Sequence, residues 1–325
     1  MRLLITGVTG FVGPHLANLL VSEGHEVYGL VRTSNGREDD IRDVVRDENF
    51  RSLRFVYGEL TDYSSLERIL KAQQYDGIFH LAAQSHPPTS FVDPRGTFSI
   101  NALGSVNLAE AVREFQPACR LMSCSTSEVY GAVSSEKGPI DEGFPLAPVN
   151  PYGVSKAAAD LFVRERAQSY GLPFFVSRAF SHTGPRRGRR FSISSDAYQI
   201  ARVLKSLQEP IIRVGNLESR RTIMDVRDTC SAYYSLMLKF AAGEAYNIGG
   251  DEVFSMGDVL RMLLDIANLD GKVQIVVDPE LVRPIDIPVQ LCNSEKCRRL
   301  TGWQPQIPLQ KTLTDLLEYW QAKIR

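Results

Sequence analysis

No apolar run in these 325 residues approaches the roughly 18–20 needed to span a bilayer. The sequence also enters a strand-like pattern at once, with Met1-Arg2-Leu3-Leu4-Ile5-Thr6-Gly7, and leaves no room for a leader peptide. A cytoplasmic protein with no membrane partner is the expectation. Charge of one sign is missing as well. Lys+Arg 37 against Asp+Glu 38 leaves a net charge of −1, so no global field draws the chain to nucleic acid, and any anion site must be local. Cysteine is scarce and scattered. Cys119, Cys124, Cys230, Cys292 and Cys297 show no CxxC pair and no His at zinc spacing, so packing thiols are expected rather than a metal site, a disulfide framework or a nucleophile.

What remains is ordinary globular composition, with hydrophobic residues at 43%, charged residues at 23%, Gly 24 and Pro 17. Collagen, coiled coil and disorder are excluded as overall classes. At roughly 100–200 residues per domain the length allows two domains, or one large domain with a lobe. Short β-branched or apolar runs at 3–6, 26–31, 54–57, 77–83, 120–123, 173–180 and 245–248 alternate with helical patterns. That alternation predicts an α/β fold, a doubly wound parallel sheet of Rossmann type with helices on both faces. Several runs are continuously apolar, as strands buried on both faces require.

After about residue 180 the texture changes to a basic stretch, Gly184-Pro185-Arg186-Arg187-Gly188-Arg189-Arg190, and then to Pro-punctuated short segments. The reading is a cofactor-binding domain over 1–180, with a returning segment near 222–250, and a smaller substrate lobe over 181–325. The mixed-sign stretch 37–51 reads as a solvated helix or loop. The tail 309–320 carries Leu313, Leu316, Leu317 and Trp320 at helical spacing, and Leu300 and Trp303 read as packing residues.

Gly7-Val8-Thr9-Gly10-Phe11-Val12-Gly13 follows the first strand and opens a helix with Leu16, Leu19 and Leu20 apolar. Such glycines allow a tight turn and close backbone approach to a pyrophosphate on exposed N–H groups, so a dinucleotide is the natural ligand. An acid at the end of the second strand would bond the ribose of NAD. Here the sequence reads Val31-Arg32-Thr33-Ser34. Arg32 can fork onto a phosphate and Ser34 can donate to it, which favours NADP.

Pro151-Tyr152-Gly153-Val154-Ser155-Lys156 starts a helix and sets Tyr152 and Lys156 one turn apart on one face. A cationic amine beside a phenol lowers its pKa, so the pair can serve as acid or base at a sugar hydroxyl or carbonyl while hydride moves. Upstream, Ser123-Cys124-Ser125-Thr126-Ser127-Glu128 ends an apolar strand in hydroxyls and a carboxylate, at the edge where α/β sheets bind ligands. His80, beside Leu81-Ala82-Ala83 at the end of a buried strand, reads as a satisfied structural histidine.

With these motifs in place, the sequence resembles the extended short-chain dehydrogenase/reductase family, and within it the enzymes acting on GDP-mannose and its 4-keto derivative. The resemblance runs almost end to end. Besides the glycine, Thr-Ser-Glu and YxxxK motifs, it rests on Gly58-Glu59-Leu60-Thr61-Asp62, His80-Leu81-Ala82-Ala83-Gln84-Ser85, Ser181-His182-Thr183-Gly184-Pro185-Arg186-Arg187-Gly188, Gly215-Asn216-Leu217-Glu218-Ser219 and Leu281-Val282-Arg283-Pro284. It implies Tyr152 as base at the sugar C4 hydroxyl, Lys156 on the nicotinamide ribose, Thr126 at O4, and Glu128 in the position of the dehydratases' C5 base. It implies further cofactor contacts at Glu59, Leu60, Leu81, Ala82, Ala83, Ser85 and His182, the last beside the nicotinamide or substrate. Ser85, Ser127 and Ser181 are implied at the sugar, and Arg187, Arg221 and Arg283 near the substrate diphosphate, with one or two arginines of the basic stretch facing the site.

Phe11-Val12 stands where the dehydratases usually have Gln-Asp, Ser181 stands where an Asn is usual, and the part around 215–288 is shorter than in many dehydratases. In these respects the chain looks more like the 4-keto-6-deoxymannose reductases. The long segment after Arg32 and Thr126-Ser127-Glu128 look like the dehydratases, in which that segment reaches a neighbouring subunit's cofactor. A GDP-mannose 4,6-dehydratase holding NADP is the leading expectation. The alternatives are an NADPH-dependent reductase, a 4-epimerase that has no need of Glu128, and a non-enzymatic NADP-binding protein, against which the intact Tyr/Lys pair speaks. A homodimer through the YxxxK helices, or a homotetramer, is implied.

Overall fold

The computed structural model describes residues 1–32, 38–282, 285 and 287–324. Six strands, β1 (Arg2–Thr6), β2 (Glu26–Val31), β3 (Arg54–Tyr57), β4 (Gly77–His80), β5 (Arg120–Thr126) and β6 (Phe174–Ala179), come first. Three strands lie elsewhere, β7 (Ser181–Thr183), β8 (Ile211–Val214) and β9 (Arg220–Asp225), before the chain returns as β10 (Ala245–Ile248). The first six and β10 form one parallel seven-stranded sheet of order β10-β6-β5-β4-β1-β2-β3. The expected α/β architecture is present.

Side-chain alternation along each strand divides the core in two. Leu3, Ile5, Phe79, Met122 and Phe175 pack on one face with Leu16 and Leu20 of α1 (Val12–Ser22). Leu4, Ile78, Leu121 and Phe174 pack on the other, against α3 (Tyr63–Ala72), α6 (Gly104–Phe115) and α7 (Pro151–Tyr170), with α2 (Asp47–Ser52), α4 (Pro87–Val92) and α5 (Pro94–Phe98) filling shorter connections. Each such fully buried side chain contributes about 1.5–3 kcal/mol. Arg178 on β6 is buried as well, and its guanidinium donates twice to Asp160 of α7, at 2.8 and 3.0 Å, and once to the Tyr130 hydroxyl.

The remaining strands build two small sheets. In one, β9 lies between β11 (Val253–Ser255) and β13 (Val289–Gln290), with β7 also paired to it; in the other, β8 pairs with β12 (Gln274–Val277). A separate apolar cluster joins α8 (Ser192–Leu204), α10 (Met256–Ile266) and α12 (Leu309–Lys323) through Ile200, Leu263, Leu313 and Leu316. The helix α9 (Val226–Leu238) covers the main sheet beside α1, and α11 (Glu295–Thr301) lies beside β10.

Several expectations need correction. β4 ends at His80, so Leu81, Ala82 and Ala83 belong to the loop at the strand's carboxyl end, while β5 continues past Ser123 to Thr126. The stretch 37–51 is not simply solvated: Ile41 and Val45 are buried in the core, and Asn49 donates to Asn18 at 2.8 Å. Trp303 is buried with its indole N–H on the Asp228 carbonyl, whereas Leu300 is exposed.

The winding places the ligand crevice. From β1 the chain moves outward through β2 and β3, and from β4 it moves the other way through β5 and β6. The loops leaving β1 and β4 therefore part at the reversal point, where open α/β sheets bind ligands.

Candidate active site

A cavity of about 900 Å3 opens at this crevice, near the upper end of the range for small-molecule sites. One end is built by the glycine turn. Gly7 has φ +75, and a Cβ there would sit 2.8 Å from the Ala82 amide nitrogen; a Cβ on Gly13 would fall 2.4 Å from the Gly7 carbonyl oxygen. The turn closes with the Gly10 N–H on the Gly7 carbonyl at 3.0 Å. The N-terminus of α1 carries no side-chain cap, which leaves its N–H groups and positive dipole end for an anion. Bare backbone, a tight turn and an uncapped helix start fit the pyrophosphate of a dinucleotide. Gly10, Phe11, Val12, Arg32 at the end of β2, Glu59, Leu60, Leu81, Ala82, Ala83 and Ser85 all line the same cavity.

Nearby, the His80 ring is held between the Thr6 hydroxyl (2.8 Å) and the Ser105 hydroxyl (2.9 Å), and burial pushes it down to about 3. It is a neutral structural group. The same Thr6 hydroxyl accepts from the Ala82 N–H at 3.2 Å, so His80 indirectly fixes the loop that the glycine turn approaches.

The catalytic candidates come from β5 and the start of α7. Thr126 ends β5, and Glu128 sits in the helical turn that follows. Asn150 caps α7: its side-chain oxygen accepts from the Gly153 N–H at 2.7 Å, while its amide donates to the Glu128 carboxylate at 2.7 Å. One side chain thus ties the helix carrying Tyr152 and Lys156 to the carboxylate of Glu128. Tyr152, Lys156, Thr126 and Glu128 all line the cavity. The helix is also pinned at Ser155, whose hydroxyl accepts from Asn101 at 3.0 Å. Asn101 lies in a π-helical turn, Ser99–Leu103, and its oxygen takes the Gln84 N–H at 2.8 Å. Such turns recur at functional sites because the wider turn re-aims a side chain.

The expected acidification of the phenol by Lys156 does not appear. Burial pushes Tyr152 well above the usual tyrosine range, with Cys124 and Glu128 adding to the rise and a Thr126 hydrogen bond and the Arg187 charge opposing it. Burial also pulls Lys156 below its ordinary value. Desolvation disfavours both charged forms and outweighs the neighbours.

On the substrate side, Ser181, His182 and Arg187 line the cavity. The His182 ring stacks on Phe11, with centroids 5.8 Å apart and planes 6° from parallel; its Nδ1 lies 2.9 Å from the Phe180 carbonyl. Burial, helped by the Arg187 charge, takes it down to about 4. Arg187 is half-buried between the rings of Phe11 (4.8 Å) and Phe191 (3.5 Å), and desolvation lowers it to about 10. Arg189 and Arg190 line the cavity too, but Arg186 turns away and donates to the Gly10 and Thr9 carbonyls. Ser127 reaches the cavity while donating to Gln290 at 3.1 Å, and Arg221 reaches it with its guanidinium also on the Arg220 and Pro288 carbonyls. Ser34 and Arg283 lie outside the described residues.

Sequence reasoning passed over Asn150, Asn101 and a buried carboxylate, Asp196, that lines the cavity. Asn150 was findable as an Asn directly before a Pro-opened helix. The π-helical turn around Asn101 has no such marker. Among the described residues no group of three or more His, Cys, Asp and Glu side chains is placed to hold a metal, and no helix is long and apolar enough to cross a membrane.

Comparison with known proteins converges on one family. The family model described as GDP-mannose 4,6 dehydratase matches residues 4–316. The chain is 31% identical over 324 residues to GDP-6-deoxy-D-mannose reductase of Pseudomonas aeruginosa, covering 100% of this chain and 98% of that one. It is 29% identical over 347 residues to GDP-mannose 4,6-dehydratase of Vibrio cholerae, covering 97% and 92%. In structure it is similar to RMD from Pseudomonas aeruginosa complexed with NADPH, with a TM-score of 0.83, 29% identity and 99% and 98% coverage.

Proposed function

The chain belongs to the GDP-mannose 4,6-dehydratase family, and from that premise we propose that it converts GDP-mannose to GDP-4-keto-6-deoxymannose with NADP retained through the cycle. The observation that carries this reading is the Glu128 carboxylate, held at 2.7 Å by Asn150 in the cavity that Tyr152 and Thr126 also line. Oxidation or reduction at C4 needs one acid–base group. Elimination needs a second, and in this reading Glu128 supplies it.

When bound, the nicotinamide supplies reversible hydride transfer at the sugar carbons. The glycine turn and the start of α1 hold its pyrophosphate, Arg32 and Ser34 favour the extra phosphate of NADP, and Lys156 holds the nicotinamide ribose. In this reading Tyr152 removes the C4 hydroxyl proton as C4 becomes a ketone, with Thr126 hydrogen-bonded at O4; the positive charge of Lys156 and of an oxidised nicotinamide beside the phenol would offset the desolvation that otherwise raises it. The ketone acidifies the C5 proton. Glu128 takes that proton, the C6 hydroxyl departs as water, and the C5–C6 double bond left behind gains hydride at C6 and a proton at C5; the two protons taken by Tyr152 and Glu128 are returned, one to the departing hydroxyl and one to C5. Ser85, Ser127 and Ser181 orient the sugar, His182 contacts the nicotinamide or the sugar, and Arg187, Arg221 and Arg283 take the diphosphate. In domain terms, residues 1–180, with the return near 222–250, hold the cofactor and 181–325 the substrate.

The end-to-end match to a reductase at 31% identity, together with Phe11-Val12 and Ser181, favours one second reading, NADPH-dependent reduction of the 4-keto sugar. One incubation separates them. With GDP-mannose and catalytic NADP, the dehydratase reading expects loss of one water by mass and no net NADPH. Unchanged GDP-mannose, with NADPH consumed on the 4-keto sugar, would replace it by the reductase reading.

A further inference from the structure

Asp196, on α8, is 6% exposed and lines the cavity, and no hydrogen bond or ion pair holds its carboxylate among the described residues. Buried carboxylates without partners are rare because desolvation is costly. Here burial is the one cause of a shift that takes the carboxyl up to about 8. The same cavity is lined by Ile193, one helical turn before Asp196, and by Val214, Leu217 and Leu281, apolar surfaces suited to a flat ring, and by Arg187 and Arg221 as anion partners. Candidate diphosphate partners, apolar walls and one buried acceptor thus line one cavity.

We propose that Asp196 is the residue that reads the nucleobase, its two carboxylate oxygens accepting the N1–H and N2–H of guanine. Guanine alone among the common bases presents two adjacent donors on its pairing edge. Uracil and thymine present one donor between two acceptors, adenine one donor beside an acceptor, and cytosine one donor beside two acceptors. A carboxylate accepts and cannot donate, so it matches guanine and leaves a buried acceptor facing an acceptor with the others. The inference rests on the GDP-sugar reading above and adds the residue that enforces it.

The carboxyl must be ionised to accept twice, so guanine capture at neutral pH releases a proton. Arg187, Arg189, Arg190, Arg213, Arg221 and Glu280 also line the cavity, and all six are the same in the two proteins compared below.

The test is calorimetric titration of the full-length, NADP-loaded protein with GDP, IDP and UDP, in two buffers of different ionisation enthalpy, for the parent and Asp196→Asn. IDP lacks only the N2 amine. The parent should bind GDP at least about tenfold more tightly than IDP, with buffer-dependent heat. Asp196→Asn should lose that preference and the proton release while holding IDP within about threefold of the parent. Equal binding of GDP and IDP by the parent overturns the proposal without needing the variant, and so does an Asn variant that keeps the GDP preference or weakens all three nucleotides alike. Tighter binding of UDP than GDP would instead overturn the GDP-sugar reading, and water loss from GDP-mannose with no GDP preference over IDP would leave that reading standing and remove Asp196 alone.

Discussion

Glu128 and Asn150 show how much one side chain can be asked to do. Asn150 both caps α7 and holds the Glu128 carboxylate. Asn150→Ser keeps a good cap, so thermal unfolding should move little, yet it drops the tether and should slow water elimination several-fold. Glu128→Gln keeps the size and removes the base. Dehydration should fall by about 10²–10⁴-fold in a protein whose unfolding midpoint is unchanged, and a variant that still eliminates water at the parental rate would remove Glu128 from the mechanism. His80 makes a different prediction. It is neutral and bonded on both sides when folded, with its proton affinity pushed down to about 3, against an ordinary value near 6.5 when unfolded. The unfolded chain therefore binds the extra proton between these values. The stability is complete above pH ~6.5 and is lost as pH falls toward 3, at up to about 1.4 kcal/mol per pH unit from this group. Urea unfolding of the parent and His80→Asn from pH 7 to 4 should give a shallower acid decline in the variant.

Among the elements, the join between β6 and α7 is the most exposed to a single change. Arg178 and Asp160 are both buried and bonded in two places, and the Tyr130 hydroxyl that accepts from Arg178 donates to Asn247 of β10 at 2.7 Å. Asp160→Ala would strand a buried guanidinium and should cost about 3–5 kcal/mol, read as a lower urea midpoint. Neither partner was singled out from the sequence. The sheet, by contrast, was legible. Residues 26–31 and 245–248 are read with the bounds that β2 and β10 have, because strands buried on both faces must be apolar at successive positions; 54–57 matches the edge strand β3, where only Phe55 and Val56 are partly covered. Where chemistry interrupts that pattern the reading slipped: polar Ser125 and Thr126 hid the last turn of pairing in β5, and apolar Leu81-Ala82-Ala83 prolonged β4 into its loop. The short strands β7, β11 and β13 carry two or three residues each, too few for any period to show. The candidate site residues stand in the sequence as a chain of motifs, and those among the described residues line one cavity. Asp196 was not, since one carboxylate in an amphipathic helix looks solvated until burial is known.

For the whole molecule, the outer face of α7 leaves Val154, Leu161 and Tyr170 exposed, with Phe98 and Leu103 exposed on the segments before α6. Apolar groups spaced along a helix in this way suit a two-fold contact. Leu161, 54% exposed, is a simple probe. Leu161→Glu should convert a dimer to monomer in light scattering while leaving monomer stability within about 0.5 kcal/mol; a monomeric parent would remove the dimer expectation.

Asp43 joins parts of the chain made at very different times. Its carboxylate takes Arg186, which also grips the glycine turn, together with the Tyr319 hydroxyl at 2.9 Å and the Lys323 ammonium at 3.2 Å. Tyr319 lies 276 residues beyond Asp43. During synthesis at about 5–20 residues per second, the β1 turn and its helix emerge early, but the clasp over them waits tens of seconds for α12 to leave the ribosome. Nascent chains should accordingly show residues 38–46 open to protease until α12 has emerged and docked.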